Sequence, residues 1–263
     1  MNKIFVFLKK FGNGALDVMF PDNFKCILCG RDLAEDGYFC KDCLREDIFN
    51  DSNRCVICDT RVPKGNIICN HCKSKRSFKR CVCPLNMEGN VKRAILKFKD
   101  DNARYLVAPF ANLVAERLKK DGINFDVIVP VPSHKKSVKK RGYNPPELIA
   151  VRLGEIFNKP VLQALEKTVY TKKQKKLDYE KRQANLFDTI TLVNKDMIKD
   201  KVVLIVDDVV TTGATMNTCA ALMRGAKEVF CCGIARRNLI GSDERFVGEQ
   251  KTAEIVDNVQ NKM

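Results

Sequence analysis

Apolar residues follow two alternating patterns along most of the chain. Short, nearly continuous apolar runs are typical of strands buried in a parallel sheet, and they occupy residues 126–131, 201–206 and 228–235, with a further strand predicted at 81–87. Apolar residues at the spacing of amphipathic helices occupy residues 91–99, 105–120, 145–157, 178–187 and 214–224. This alternation predicts an α/β fold with a parallel sheet, whose ligands bind at the carboxyl ends of the strands.

The composition changes near residue 80, which predicts a division into three parts. Residues 1–80 would hold an N-terminal segment and a small cysteine-rich module, and residues 81–240 the α/β domain. Residues 241–263 are polar and of mixed charge, so we expect a loosely held tail. A length of 263 residues suits one such domain with a small additional module.

Eight of the thirteen cysteines form an internal repeat. Two CxxC pairs separated by ten residues are followed, 29 residues further on, by two pairs with the same spacing. The eight are Cys26, Cys29, Cys40, Cys43, Cys55, Cys58, Cys69 and Cys72. Because two CxxC turns can surround one metal ion with four sulfurs, the repeat predicts one or two structural Zn²⁺ ions. Four thiolates leave no open position for a substrate, which argues against a catalytic metal.

The spacing leaves alternatives open. Iron in a rubredoxin-like site and disulfides are less favoured than zinc, and the repeats either close one site each or exchange pairs in a cross-brace. His71 is interpreted as a surface residue rather than a substitute ligand. The other cysteines lie in apolar strand and helix contexts, where core packing is favoured over metal binding; they are Cys81, Cys83, Cys219, Cys231 and Cys232.

The most specific chemistry follows the apolar run at 201–206. Asp207 and Asp208 stand at its carboxyl end, and the next helix opens with Thr211, Thr212, Gly213, Ala214 and Thr215. Backbone N–H groups, three hydroxyls and the positive end of a helix can hold a phosphate, while the carboxylates suit the hydroxyls of a ribose. As turn formers and helix caps these residues can each be explained singly, but the run 203–215 together favours a sugar-phosphate site.

The run 203–215 resembles the motif with which type I phosphoribosyltransferases bind phosphoribosyl pyrophosphate (PRPP). From the cysteine repeat to about Arg237, the chain resembles the ComF family of competence-associated, amidophosphoribosyltransferase-like proteins. The matching segments occur in family order, and they include Phe98-Lys99, Val129-Pro-Val-Pro132 with His134, Arg141-Gly-Tyr-Asn144, and Thr171, Gln174, Leu177, Arg182 and Asn185.

The resemblance implies a role for each segment. Asp207 and Asp208 would hold the ribose, and residues 211–215 the 5′-phosphate. Residues 130–134, with Ser133, would form the loop that closes over the pyrophosphate and its Mg²⁺. Lys99 would contact the same ligand, and residues 170–177 would form the flexible catalytic loop.

This catalytic loop departs from the family. Lys172-Lys-Gln-Lys-Lys-Leu177 stands where the family commonly has Pro-Pro-Gln-Ser-Gly-Leu, while Lys167 occupies an arginine position and Ile190 a phenylalanine position. The changes leave the binding motif intact. The resemblance therefore implies binding of PRPP more directly than its turnover.

The formal net charge of +15 favours polyanionic partners, and it stays near +11 if each of two tetrathiolate zinc centres contributes two negative charges. Basic residues cluster after the predicted pyrophosphate loop, with four more lysines in 172–176. The cluster contains Lys135, Lys136, Lys139, Lys140 and Arg141, and Tyr143 and Tyr170 border it as rings for base stacking. We predict a groove for single-stranded DNA beside the PRPP site; solvated charge, or charge serving PRPP alone, is the alternative.

Three functions fit these features. The first is a metabolic phosphoribosyltransferase with an unidentified small acceptor, and the second is a PRPP-binding component of DNA uptake that binds nucleic acid, with or without catalysis. In the third, the zinc module docks a partner protein, such as a DNA-uptake protein, and the other domain is a ligand-gated adaptor. We favour the second, because no residue can be named as the base that activates an acceptor. No apolar run approaches the roughly 20 residues of a membrane helix, and residues 1–10 do not fit a signal peptide. We therefore expect a cytoplasmic protein without membrane insertion.

Overall fold

The computed structural model describes residues 25–33, 37–45, 48–50, 53–74, 76–167, 190–193 and 195–238. The expectations for the N-terminal segment before residue 25, the catalytic loop at 170–177, the helix at 178–187 and the tail at 241–263 lie outside these residues. Among the described residues, no helix is long and apolar enough to cross a membrane.

Helices and strands alternate as the apolar pattern predicts. The described strands are β1 (Arg80–Val82), β2 (Leu85–Asn86), β3 (Val127–Pro130), β4 (Leu165–Lys167), β5 (Ile190–Leu192), β6 (Val202–Val206), β7 (Val209–Val210), β8 (Glu228–Cys232) and β9 (Ala235–Arg236). The described α-helices are α1 (Lys41–Arg45), α2 (Gly89–Asp100), α3 (Val107–Lys120), α4 (Lys135–Arg141), α5 (Pro145–Phe157) and α6 (Ala214–Leu222). Short 3-10 turns span Asn70–Cys72, Arg104–Leu106 and Lys195–Met197.

The main sheet contains four parallel strands in the order β1-β8-β6-β3. Three of its strands resume after a two-residue interruption as a second parallel sheet in the order β2-β9-β7. The predicted strands at 81–87 and 228–235 are therefore each two short strands. The sequence does not reveal the interruption, because apolar residues continue through it. β4 and β5 form a separate antiparallel pair. The predicted parallel α/β architecture is confirmed.

The sheet has a hydrophobic core on each face. Ile128, Leu204 and Cys232 pack in one core with α2, α3 and α5, whereas Val129 and Ile205 pack in the other with α6. This division follows from the alternation of side chains along a strand. Both cores contain residues from before and after residue 80, so the cysteine-rich part is packed against the sheet.

The five cysteines outside the repeat are core residues, as predicted. Cys81, Cys83, Cys219, Cys231 and Cys232 are each at most 1% exposed. Cys81 and Cys231 are direct neighbours across β1 and β8. Burial raises the pKa of the Cys231 and Cys232 thiols well above the ordinary value, so these two behave as small apolar side chains.

Candidate phosphate-binding site and metal centres

The loop between β7 and α6, residues 211–213, leads into a helix start that is largely open to solvent. Thr211, Thr212 and Ala214 are exposed, and Thr215 is half-buried. Gly213 has φ +77°, a left-handed conformation that L side chains rarely adopt, and it begins the helix without a side-chain cap. The Thr212 hydroxyl accepts a hydrogen bond of 3.2 Å from the Ala214 backbone N–H. The loop is therefore a helix start with its own hydroxyl and amide donors, as a phosphate site requires.

Two carboxylates lie where the sheet is interrupted between β6 and β7. Asp207 Oδ1 accepts a 2.8 Å hydrogen bond from the Asp208 backbone N–H. Asp208 is only 8% exposed, and Lys99 Nζ of α2 lies 2.8 Å from its Oδ1. A buried carboxylate requires such a cation. The structure thus brings together Lys99 and Asp208, which lie far apart in the sequence, at the proposed ribose site.

The Asp207 carboxyl group titrates near neutral pH. Burial, together with the adjacent Asp208 carboxylate, raises the pKa of Asp207 to about 7. Asp207 is therefore partly protonated at neutral pH and can donate a hydrogen bond to a hydroxyl as well as accept one. Asp208, paired with Lys99, accepts hydrogen bonds.

The predicted pyrophosphate loop follows β3, which is the direct neighbour of β6, so both strands end at the same edge. Ser133 Oγ donates a 2.6 Å hydrogen bond to Asn144 Oδ1, and Asn144 Nδ2 donates one of 3.2 Å to the Val131 carbonyl. Asn144 thus fixes the loop from the start of α5. This role was not predicted, because Asn144 entered the sequence argument only as part of a family segment.

The basic cluster after this loop is helical. Residues 135–141 form α4, which contains no buried residue and ends at Gly142 with φ +81°. Its four lysines are exposed, whereas Arg141 Nη2 lies 3.6 Å from Asp100 Oδ1. The lysines of 172–176 lie outside the described residues. α4 therefore presents its lysines at the edge of the sheet where β3 and β6 end.

Tyr143 is a correction to the predicted nucleic-acid residues. Its side chain is 5% exposed, its hydroxyl donates a hydrogen bond to the Phe98 carbonyl, and Arg104 lies 4.8 Å from its ring centroid. The ring also packs beside Phe98 at 6.2 Å between centroids. Tyr143 is buried because it joins α2 to the start of α5, and it has no free face for a base.

Replacing Tyr143 with leucine should therefore change stability and leave DNA affinity alone. We expect the free energy of unfolding to fall by about 2 kcal/mol, since a buried hydrogen bond and aromatic packing are both lost. Urea denaturation measures this, and fluorescence anisotropy with a single-stranded oligonucleotide provides the second readout. A weakened DNA affinity in a fully folded variant would instead show that the Tyr143 ring stacks on a base.

The two repeats of cysteines form two separate clusters. The sulfur atoms of the first four cysteines lie within 4.8 Å of one another, and so do those of the second four. This arrangement replaces the cross-brace alternative, and each of the thirteen cysteines is a free thiol, so the disulfide alternative is not found. His71 is exposed, in accordance with the surface interpretation. Four sulfurs at mutual contact distance are the donor set of a structural zinc centre.

The second cysteine site is tied to the α/β domain by buried polar contacts. Asp59, which is 3% exposed, follows Cys58 and accepts hydrogen bonds of 2.8 Å from the Cys83 N–H and 3.0 Å from Asn50 Nδ2. Arg117 of α3 forms a 2.9 Å ion pair with the same carboxylate. The contacts of Asp59 with Cys83 and Arg117 join residues 24 and 58 positions apart, so neither spacing nor apolar pattern indicates them.

Arg236 provides a second contact between this site and the domain. Its Nη2 lies 3.5 Å from Cys58 Sγ, and the side chain is 1% exposed. An arginine at the end of an apolar strand carries no signal in the sequence that sets it apart from a surface residue. Its position was therefore missed.

Comparison with known proteins relates this domain to phosphoribosyl transfer. The family described as "Phosphoribosyl transferase domain" matches residues 105–239, about half of the chain. "Competence protein F" of Haemophilus influenzae is 35% identical over 115 residues, which are 42% of this chain and 50% of that protein. The chain therefore spans about half the length of this curated relative.

Two solved structures show weaker likeness. A purine phosphoribosyltransferase from Pyrococcus horikoshii is 23% identical with a TM-score of 0.34, over 49% of this chain and 72% of that chain. A glutamine PRPP amidotransferase from B. subtilis, complexed with ADP and GMP, is 21% identical with a TM-score of 0.35, over 48% of this chain and 26% of that chain. Both are distant likenesses.

Proposed function

The chain belongs to the phosphoribosyl transferase domain family, and from this premise we propose that it binds PRPP, or a related 5-phosphoribosyl ligand, in residues 203–215. The observation that carries the proposal is the pairing of Asp208 with Lys99, 2.8 Å apart, beside the exposed start of α6. A buried charged pair costs desolvation energy and adds little stability. Its position next to a loop rich in hydrogen-bond donors for a phosphate supports a role in ligand binding.

Each part of the ligand has a complement among the described residues. The backbone N–H groups and hydroxyls of residues 211–215 would hold the 5′-phosphate. Asp207 and Asp208 would accept hydrogen bonds from the ribose hydroxyls. Ser133 and the loop fixed by Asn144 would face the pyrophosphate, with Lys99 supplying a positive charge. Mg²⁺ carried with PRPP would neutralise the pyrophosphate oxygens and stabilise the leaving group.

The cysteine sites are proposed to bind two structural Zn²⁺ ions. Each would serve the fold by fixing one repeat against one face of the sheet, because the two sets of cysteines belong to different hydrophobic cores. The four thiolates of each set fill the tetrahedron that zinc prefers. No substrate position remains at either centre.

The process we propose for this ligand site is DNA uptake in natural transformation, in the cytoplasm. The likeness to a protein named for competence supports this assignment. Single-stranded DNA would bind along α4 through Lys135, Lys136, Lys139 and Lys140, with Arg141 held partly by Asp100. DNA and PRPP would then meet at one edge of the sheet and compete for its charges.

The salt dependence of DNA binding tests the role of α4. Each single-strand phosphate neutralised contributes about 0.7 to the slope of log affinity against log salt. Replacing Lys139 and Lys140 with alanine should therefore flatten the slope by about 1.4 and weaken all sequences alike. Fluorescence anisotropy with a labelled oligonucleotide at several salt concentrations measures the slope.

A charge-matched control separates position from net charge. Lys120 and Lys227 are also exposed but precede β3 and β8, and so lie at the opposite edge of the sheet. Replacing both with alanine should leave the slope unchanged. Equal effects of the two double variants would mean that DNA responds to overall charge, and that α4 forms no groove.

Phosphoribosyl transfer to an acceptor is the alternative function. The family match supports it. Release of pyrophosphate from PRPP, measured with a panel of amines, bases and single-stranded DNA, separates it from binding alone. Turnover that depends on one acceptor would identify an enzyme and its substrate.

A further inference from the structure

Arg236 is a buried cation without a carboxylate partner among the described residues. It is among the largest fully buried side chains, and the acceptor of its Nη2 is Cys58 Sγ at 3.5 Å. In the part of the chain that the structure describes, its Nε and Nη1 have no hydrogen-bond partner. A buried guanidinium requires an anion. A metal-bound thiolate is such an anion, because cysteine binds metal only after losing its proton.

The same guanidinium lies behind the loop of residues 211–213 between β7 and α6, which is the proposed phosphate loop. A Cβ atom added to Gly213 would be 3.7 Å from Arg236 Nη1. The backbone makes a second connection: β9, which contains Arg236, pairs with β7, and the Arg237 N–H donates a 2.9 Å hydrogen bond to the Val210 carbonyl. Val210 leads directly into Thr211. A shift of Arg236 would therefore move the loop through both the side chain and the strand.

Among the residues that the structure describes, the first cysteine site has no equivalent connection to the phosphate loop. Its nearby cation, Arg31, has a side chain 60% exposed and lies 2.5 Å from Asp42. Water and a carboxylate therefore compensate its charge whether or not metal is bound. The four cysteines of that site pack with the core on the other face of the sheet from α6. The two centres thus differ in their relation to the phosphate loop.

We infer that Arg236 is a positioning residue that couples the second metal centre, formed by Cys55, Cys58, Cys69 and Cys72, to the phosphate loop at Gly213. The metal-bound Cys58 thiolate holds the guanidinium behind Gly213, and the loop then has the shape that binds phosphate. Without that thiolate the buried charge loses its partner, Arg236 moves, and the loop changes. This inference rests on the proposed binding of a phosphoribosyl ligand and of metal.

Coupling between two binding sites is reciprocal in free energy. Because affinity differences between related complexes lie mostly in the dissociation rate, metal release from the wild-type protein provides the first test. Saturating ribose 5-phosphate should slow metal release from the second centre on the order of tenfold and leave release from the first centre unchanged. Release is followed with a coloured zinc chelator. The Cys29→Ser variant, which alters only the first centre, assigns the two kinetic phases.

Variants of Arg236 provide the second test. Arg236→Met should accelerate metal release from the second centre, weaken ribose 5-phosphate binding on the order of tenfold, and abolish the effect of ribose 5-phosphate on metal release. Arg236→Lys keeps the charge and should restore metal retention at least in part. Arg31→Met removes a cation beside the other centre and should leave ribose 5-phosphate affinity unchanged.

The outcomes separate the inference from the function on which it rests. If calorimetry detects no binding of ribose 5-phosphate to the wild-type protein, the proposed function fails. If ribose 5-phosphate binds but release from both centres is unchanged, or slows equally, the coupling is refuted. Loss of the ligand effect in Arg236→Met, with partial recovery in Arg236→Lys, supports the role of the guanidinium.

Discussion

Cys58→Ser should reduce bound zinc from two ions per chain to one and remove most of the soluble protein. Structural zinc contributes roughly 10–16 kcal/mol in zinc-finger peptides, which is as large as the whole stability of an ordinary domain, about 5–15 kcal/mol. Cys58 is 1% exposed and contacts Arg236, so its loss also leaves a buried charge without its partner. Elemental analysis of purified protein and soluble yield measure the two effects.

Cys219→Ala is the matched control, because Cys219 is equally buried but lies in α6 outside both sets of cysteines. It should keep both zinc ions and lose only about 1–2 kcal/mol of stability. A folded wild-type chain that contains neither zinc nor iron would contradict the metal assignment. If the protein contains iron instead of zinc, the two cysteine sites stand as assigned and only the identity of the bound ion changes.

Asp208→Asn should weaken PRPP binding on the order of 10- to 100-fold, because hydrogen bonds to a charged group contribute about 1.5–3 kcal/mol. The variant also leaves Lys99 without its anion at 2.8 Å. Asp207→Asn should have a smaller effect, since the pKa of Asp207 is raised to about 7 and an amide resembles its protonated form. Isothermal calorimetry with PRPP and Mg²⁺ gives both affinities.

Ligand-free melting temperatures separate loss of binding from loss of fold in these variants. Asp126→Asn is a suitable control. Like Asp207, Asp126 accepts a 2.8 Å hydrogen bond from a backbone N–H, here that of Val202, but it lies at the opposite end of β6. It should leave PRPP affinity unchanged. Equal affinities in wild type, Asp207→Asn and Asp208→Asn would show that the two carboxylates do not bind the ribose.

Local patterns in the sequence predicted most of the described fold. Residues 145–157 were predicted as a helix with the bounds that α5 has, and the buried runs became β3, β6 and β8. These elements are predictable because their apolar periodicity reflects the core that they face. The resemblance to the ComF family is confirmed by the domain match and by the similarity to Competence protein F.

Features that depend on distant contacts were not predictable from the same patterns. α4 has no buried residue, so it lacks the periodicity that reveals a helix. The basic neighbours of Tyr143 predict a surface ring, but its contacts come from Phe98 and Arg104. The contact between Arg236 and Cys58 joins residues 178 positions apart. Spacing alone likewise left open which cysteines share a site, and the folded chain resolves this by bringing each repeat together.

Titration of the zinc-loaded protein with PRPP and Mg²⁺ in a calorimeter tests the central claim most directly. We expect one ligand per chain, an affinity in the micromolar to millimolar range, and a melting temperature that rises with ligand concentration because the ligand binds the folded state. Ribose 5-phosphate should bind at the same site and compete with PRPP. If PRPP, ribose 5-phosphate and a nucleoside monophosphate all produce neither heat nor a change in melting temperature, residues 203–215 do not form a phosphoribosyl site.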